Sequence, residues 1–578
     1  MDALFHTNKQ PADNQKLRGG YYTPAELARY LTNWAIRVGG ERVLEPSCGD
    51  GNFVAAVAER VAELAHKLPP ASVNVTAVEI EPRELERAKA RLVRHEGTRM
   101  RVNWVGADFF AVYDELRMGD GYDVVLGNPP FIRFHYFADD SREQAFHHLR
   151  EAGYKPTKLA NAWSAFVQLS IELLREGGRL AMVLPAELLQ VSYAGELRTR
   201  LAARFAHIVI VGFRKLVFPE IQQEVVLLLA EGKRESVAQE SDIHTIEFED
   251  GRSLIEAGDL NAAVAHVPSK HSRPGMKWTG LFLSEAAYSA LVEAQAASCV
   301  KSLGQFAEVD VGVVTGRNSF FVLDEDLREK ISASQLTLPV VGRTSALKSI
   351  CFSEDDFERY KVAEPSFLLN LGNVQENQFS EELREYLSNG EGENVHKGYK
   401  CRVRKRWFDV PSIYIPDAFL FRQIHKFPLL VVNLAQVTST DTIHRVRFKN
   451  GAKADWLAAA CFNSLTLAWA EVCGRSYGGG VLELEPSEAE RLPVPYGASI
   501  PIDVEKVDTL LRQGRDIEAL DYVDGILLHD FMGLDSSAVR HIRCAWIELR
   551  DRRSNRRYPR RSSTSLRQAS LDALLPLA

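Results

Sequence analysis

The alternation of apolar and polar positions changes character along the chain. Over residues 1–235, short runs rich in β-branched and aromatic residues (42–44, 73–78, 101–105 and 122–126) each end in a loop that leads into a stretch with helical spacing. Strands alternating with helices in this way predict a parallel sheet covered on both faces. The run at 122–126 carries no charge after Asp123, as expected of a strand buried on both sides. A further helix, the pair Gly177-Gly178 and a fifth strand ending in Pro185 follow. Two more strands flank a loop carrying Phe218 and Pro219, and they are expected to form an antiparallel hairpin. The count gives a seven-stranded α/β sheet. Residues 236–300 are polar and weakly periodic, and read as a bridging segment containing some strands. Short alternating runs return over 301–500, predicting a mixed α+β domain, and 501–578 reads as helical with a disordered basic tail over 550–567.

Composition narrows this picture. At 578 residues the chain exceeds one hydrophobic core, and 46% hydrophobic with 25% charged residues is ordinary for a folded globular protein. A net charge of −7 excludes a global basic field, so any nucleic-acid partner must meet a local patch. One candidate gathers Arg402, Arg404, Lys405 and Arg406 beside Trp407; basic side chains interleaved with an aromatic suit phosphate contacts first and base contacts second. The first twenty residues lack the apolar core of a signal peptide and no later run reaches membrane-spanning length, so a cytoplasmic location without membrane partner is expected. Seven scattered cysteines contain no CxxC pair, which points to free thiols and to no metal site.

The candidate chemistry lies at the strand ends. Strand one runs into Glu45, Ser47 and a loop with Gly49, Asp50 and Gly51, where glycines allow close backbone approach to a ligand. The loop lacks the third glycine of a dinucleotide fingerprint and the lysine of a phosphate cradle, while its acids would repel a pyrophosphate. Strand two ends in Glu79-Ile80, suited to a ribose diol, and strand three near Asp108-Phe109, where the acid could accept from an exocyclic amine while the ring covers a base face. Strand four ends in Asn128-Pro129-Pro130-Phe131. Two prolines lock the backbone and leave its carbonyls free to accept, beside an Asn amide that can grip an NH2 group. Upstream, Tyr22 precedes Thr23-Pro24-Ala25-Glu26, which has the form of a helix capping box. The set describes a nucleoside pocket with a cationic neighbour and no phosphate. Lys233 near Glu231 and Glu224 faintly resembles a nuclease cluster, outweighed by the strand already assigned there.

The order Tyr-Thr-Pro, Leu-Glu-Pro-Ser-Cys-Gly-Asp-Gly-Asn-Phe, Val-Glu-Ile, Ala-Asp-Phe and Gly-Asn-Pro-Pro-Phe resembles the class I, gamma-order DNA adenine-N6 methyltransferases, closely over residues 20–230 and more loosely over the C-terminal half. The resemblance implies a Rossmann-like methyltransferase sheet followed by a target-recognition domain, with S-adenosylmethionine as cofactor and double-stranded DNA as partner. Domain boundaries expected on this basis are 1–235 (catalytic), 236–300 (bridge), 301–500 (target recognition) and 501–578 (helical, with basic tail). By the resemblance, Tyr22, Thr23, Glu45, Ser47, Gly49 and Gly51 surround the methionine end of the cofactor, Glu79 and Ile80 its ribose and adenine, and Asp108 and Phe109 its amine and ring. Asn128 and Pro129 would accept the N6 hydrogens of a flipped adenine, with Pro130 fixing the loop and Phe131 and Phe218 supplying aromatic faces; the family more often has Tyr at the position of Phe131. The implied role is modification in a restriction or related defence system, with a separate cognate endonuclease as a potential partner. Methylation of RNA or of a protein glutamine, and a noncatalytic DNA-binding module of the same fold, remain as alternatives.

Overall fold

The structure is a computed structural model that describes residues 22–65, 72–93, 99–134, 137–158, 160–217, 224–235, 241–272, 277–449, 451–477, 480–497 and 500–555. Its first half is built from α1 (Ala25–Ala35), β1 (Arg42–Glu45), α2 (Asn52–Leu64), β2 (Val73–Val78), α3 (Pro82–Leu92), β3 (Met100–Val105), α4 (Tyr113–Arg117), β4 (Tyr122–Gly127), α5 (Asp139–Glu151), α6 (Ala162–Leu173), β5 (Leu174–Pro185), α7 (Glu187–Gln190), α8 (Gly195–Arg204), β6 (Phe205–Phe213), β7 (Val225–Lys233) and β8 (Asp242–Phe248). The strands form one sheet in the order β3-β2-β1-β4-β5-β7-β6-β8. β1 to β5 are parallel, and β7 runs antiparallel between β5 and β6. Period-2 alternation sends Leu44 and Val125 to one apolar cluster and Val43, Val124 and Leu126 to another, which is why the central strands read as uninterrupted apolar runs.

The sheet has eight strands, not the seven expected. The extra strand, β8, comes from residues read as a bridge, and pairs parallel with β6 from His207↔Asp242 to Phe213↔Phe248. As an edge strand it has a ladder on one side only, and most of its side chains are half-buried, so it carries little of the apolar alternation that marks β1 to β7.

The second half is mixed. A five-stranded sheet, of order Ala307–Asp310, Ile443–Phe448, Ala418–Phe421, Leu430–Asn433 and Cys351–Phe352, stands with smaller two- to four-stranded sheets and with the helices Glu285–Ala296, Ser464–Cys473 and Ser536–Ser554. One apolar cluster continues from Phe109 and Trp163 beside the eight-stranded sheet through Trp278 and Leu467 to Trp546, so the halves share a core. Polar ties reinforce it: Arg552 donates to Glu247 of β8 at 2.8 Å, and the Ser476 N–H donates to the Gln190 side chain.

The first residues of the expected basic tail are helical. Residues 550–554 are the last turns of the long C-terminal helix. Arg553 is buried and makes a two-pronged ion pair with Glu471 at 2.9 and 2.7 Å while donating to the carbonyls of Ile424, His425 and Gly480. The remainder of the expected tail lies outside the described residues. Among the described residues no single helix is long and apolar enough to cross a membrane; one bent pair, Ala454–Ala460 and Ser464–Cys473, meets that test only together, across a 77° bend.

Candidate active site

β1 and β4 are neighbours, and β2 and β5 leave them in opposite directions, so the strand order reverses between them. The crevice outside the carboxyl ends at such a point is where doubly wound sheets bind ligands. Val43↔Val124 and Leu44↔Val125 set the register that brings the loops after Glu45 and Gly127 side by side. The two loops touch: Ser47 Oγ donates to the carbonyl of Asn128 at 3.4 Å.

The glycine loop is shaped by its surroundings. Gly49 (φ 53°) and Gly51 (φ 83°) are both in the left-handed region, and a Cβ on Gly51 would lie 2.7 Å from Ala88 Cβ of α3. Asp50 is held by Arg91 of α3 at 2.5 Å, and the same guanidinium donates to Asn52, so Asp50 is an anchor of the loop. Glu79 grips the loop from the second strand, one oxygen accepting the Gly49 N–H and the other the Glu81 N–H, each at 2.8 Å. Burial nevertheless pushes the Glu79 carboxyl above its ordinary pKa.

Glu45 is 1% exposed, and its Oε2 has no hydrogen-bond partner among the described residues. Burial, then the charges of Glu79 and Asp50, push its carboxyl well above the usual range. Thr23, 3% exposed, presents a second buried oxygen without a partner. The expected capping box does not form: α1 begins at Ala25 with Pro24 as N-cap, so the Thr23 hydroxyl sits one residue too early to cap it. Its carbonyl is fixed instead by Asn52 Nδ2 at 3.0 Å. Tyr22 lies against Gly49, its Cε1 3.3 Å from where a Cβ would stand. Two orphaned oxygens and a set of mutually repelling acids fit a ligand that brings hydrogen-bond donors and positive charge.

Ile80 is 64% exposed beside this loop, an apolar surface available to a flat ring. Asp108 Oδ1 accepts the Phe110 N–H at 2.8 Å, which fixes the turn after β3. Phe109 is buried, with its ring stacked 4.9 Å from Phe166. Pro129 is buried, Asn128 and Pro130 are half-buried, and Phe131 is half-buried against both apolar clusters of the sheet. The Ala162 N–H donates to the Ile132 carbonyl at 2.7 Å and the Phe134 N–H to the Ala160 carbonyl at 3.2 Å, which pins the exit of the Asn-Pro-Pro-Phe loop to the start of α6. Phe218 lies outside the described residues.

The basic cluster divides. Arg404 donates to the carbonyls of Val314, Thr315 and Trp407 at 2.9, 2.7 and 3.3 Å, and Arg406 to those of Leu371 and Val374 at 2.9 and 2.8 Å and to Asp409 at 2.8 Å. Trp407 packs among Phe320, Phe321 and Phe408 and donates to Glu391 at 3.0 Å. These three side chains are spent on folding their own domain, whereas Arg402 and Lys405 are exposed. The faint nuclease cluster dissolves in the same way: Lys233 is buried against the Leu174 carbonyl and Glu231 pairs with Arg37 at 2.8 Å.

The family model described as N-6 DNA Methylase matches residues 6–263, and that described as Type II methyltransferase M.Eco57I, C-terminal domain, matches 275–528. The chain carries an N6-adenine DNA methyltransferase domain followed by an M.Eco57I-type C-terminal domain, and is homologous to Type II methyltransferases of restriction–modification systems. This methyltransferase is 22% identical over 504 residues to the Type II methyltransferase M.AccI of Acinetobacter calcoaceticus, covering 83% of this chain and 85% of that one. It is 32% identical over 206 residues to M.TthHB8I of Thermus thermophilus, covering 34% and 42% of the two chains. Among solved structures, the type IIG restriction endonuclease BpuSI aligns with 15% identity and a TM-score of 0.39, over 92% of this chain and 66% of that one. The family's class is S-adenosylmethionine-dependent.

Proposed function

We propose that the methyltransferase transfers a methyl group from S-adenosylmethionine to N6 of an adenine flipped out of duplex DNA, at the junction of the glycine loop and the Asn-Pro-Pro-Phe loop. The observation that carries the reading is the contact of Ser47 with the Asn128 carbonyl, which seats the acceptor loop directly against a loop ringed by the orphaned oxygens of Glu45 and Thr23 and by the acids that raise the Glu45 pKa. When bound, S-adenosylmethionine supplies an electrophilic methyl on a positively charged sulfur. Glu45 and Thr23 accept from the methionine end, Glu79 has lone pairs left for the ribose hydroxyls after holding two backbone amides, and Ile80 covers the adenine.

An adenine amine is a poor nucleophile because its lone pair is delocalised into the ring. Asn128 Oδ1 and the Pro129 carbonyl accept its two hydrogens, favouring the pyramidal nitrogen of the transition state over the planar ground state. Pro130 locks the loop so that these acceptors do not reorganise during transfer. Neutral acceptors suffice, since the amine proton turns acidic only as the methyl arrives. Extrusion of the base costs a few kcal/mol of stacking, which the face of Phe131 offsets. The chain acts as a modification enzyme, with a separate endonuclease as its functional counterpart. Radiolabelled methyl transfer onto duplex DNA, RNA and protein tests the assignment. Label is expected in DNA as N6-methyladenine, and Asn128→Ala should retain cofactor binding while losing at least roughly 10²-fold in transfer. Label confined to RNA or protein, or a variant with near-native turnover, would overturn it.

A further inference from the structure

A cluster outside the active site has the form of a metal site. On α5, His147 and Glu151 are one turn apart, with His147 Nε2 and Glu151 Oε1 separated by 3.5 Å, and His148 shares the same carboxylate, its Nδ1 3.9 Å from Oε2. Asp114 of α4 approaches from the other side, Oδ1 3.8 Å from His148 Nδ1. The ligand atoms of His147, His148 and Glu151 all lie within 4.8 Å of one another.

His148 decides the chemistry. Its ring is 6% exposed, and Nε2 lies 3.0 Å from the carbonyl of Phe110. A carbonyl only accepts, so Nε2 donates to it and Nδ1 is the ring atom turned toward Asp114 and Glu151. Among the described residues Nδ1 has no hydrogen-bond partner. A buried ring nitrogen therefore faces two carboxylates at 3.8 and 3.9 Å, beyond hydrogen-bonding reach. An imidazole oriented through its far N–H onto a backbone carbonyl is the usual supporting geometry for a metal-ligating histidine. Zinc bonds of about 2.0–2.1 Å place tetrahedral ligands roughly 3.4 Å apart. The His147–Glu151 and His148–Glu151 separations, 3.5 and 3.9 Å, lie within about 0.5 Å of that spacing. Arg117 lies 4.0 Å from Asp114 in an exposed pair.

We propose that His147, His148 and Glu151 bind one borderline divalent cation of the Zn2+ class, which clips α5, through His148, to the Phe110 turn that carries Asp108. Two imidazoles and a carboxylate suit Zn2+ over Mg2+ or Ca2+, which prefer all-oxygen shells. The clip is a structural element beside the cofactor pocket, and its test needs no cofactor.

The full chain, stripped with a chelator, is titrated with Zn2+ and separately with Co2+. One ion per chain is expected, with a rise in melting temperature and the visible bands of tetrahedral Co2+ bound by nitrogen and oxygen. His147→Ala removes an exposed ring without touching the core, so it should fold normally and bind at least roughly tenfold more weakly; Glu151→Gln should do the same. A chain that takes up no Zn2+ would overturn the proposal, as would unchanged affinity in both variants. A cobalt spectrum with thiolate charge transfer, marking the cysteines as the site, would overturn it equally.

Discussion

Glu79 Oε2 accepts the backbone N–H of Gly49 at 2.8 Å, so the acid at the tip of the second strand also holds the loop that follows the first. Its other oxygen is committed to the Glu81 N–H. Glu79→Gln must turn an NH2 group toward one of these donors, leaving that amide unsatisfied and the glycine loop loose. The expected outcome is a fall of about 1–3 kcal/mol in unfolding free energy by denaturant titration. Calorimetry should show cofactor binding at least tenfold weaker. Unchanged affinity would remove Glu79 from the pocket.

Glu45 links cofactor binding to pH. Its folded-state pKa is raised by burial and by Glu79 and Asp50, so in the free protein it holds its proton well above the range of an exposed glutamate. A cationic ligand favours the ionised form, and binding then expels that proton. Affinity for S-adenosylmethionine should therefore rise with pH until Glu45 is ionised in the free protein, and level off above that point. The stability term has the opposite sense: a carboxyl whose folded pKa is raised stabilises the fold below the unfolded pKa, and this contribution is lost as pH climbs toward the folded value. Glu45→Gln should flatten the pH dependence of the dissociation constant measured by calorimetry. A slope that survives in Glu45→Gln would assign the proton to another group.

The central sheet was legible because each of β1 to β7 joins an apolar run to a loop with its own backbone signature, such as Gly49-Asp50-Gly51 or Pro129-Pro130. β8 was not, because its one-sided pairing and half-buried faces leave a polar sequence with no alternation to read. Thr23 was read as a cap because its spacing to Glu26 matches one; only the register of α1 shows that the hydroxyl is one residue early. Cysteine spacing carries no trace of the histidine cluster, although His147-His148 followed by Glu151 sets ligands one helical turn apart. The burial of Arg553 beside Glu471 could not be inferred from a run of arginines, since charge along a chain says nothing about which carbonyls will surround it in space.

The basic run at 402–407 makes that last point measurable. Arg404 supplies protons to three backbone carbonyls and lies 5.5 Å from the Phe321 ring, whereas Arg402 and Lys405 project into solvent. Arg404→Ala leaves those carbonyls without their donor and should cost about 1–3 kcal/mol of stability, read as a lowered denaturation midpoint. The double substitution Arg402→Ala/Lys405→Ala should leave that midpoint within about 0.5 kcal/mol of native. If both side chains meet phosphates, it should also reduce the slope of log affinity against log salt for duplex DNA by about 2, uniformly across target and non-target sequences. A double variant that loses stability but keeps its salt slope would reverse the division of labour between the buried and exposed members of the run.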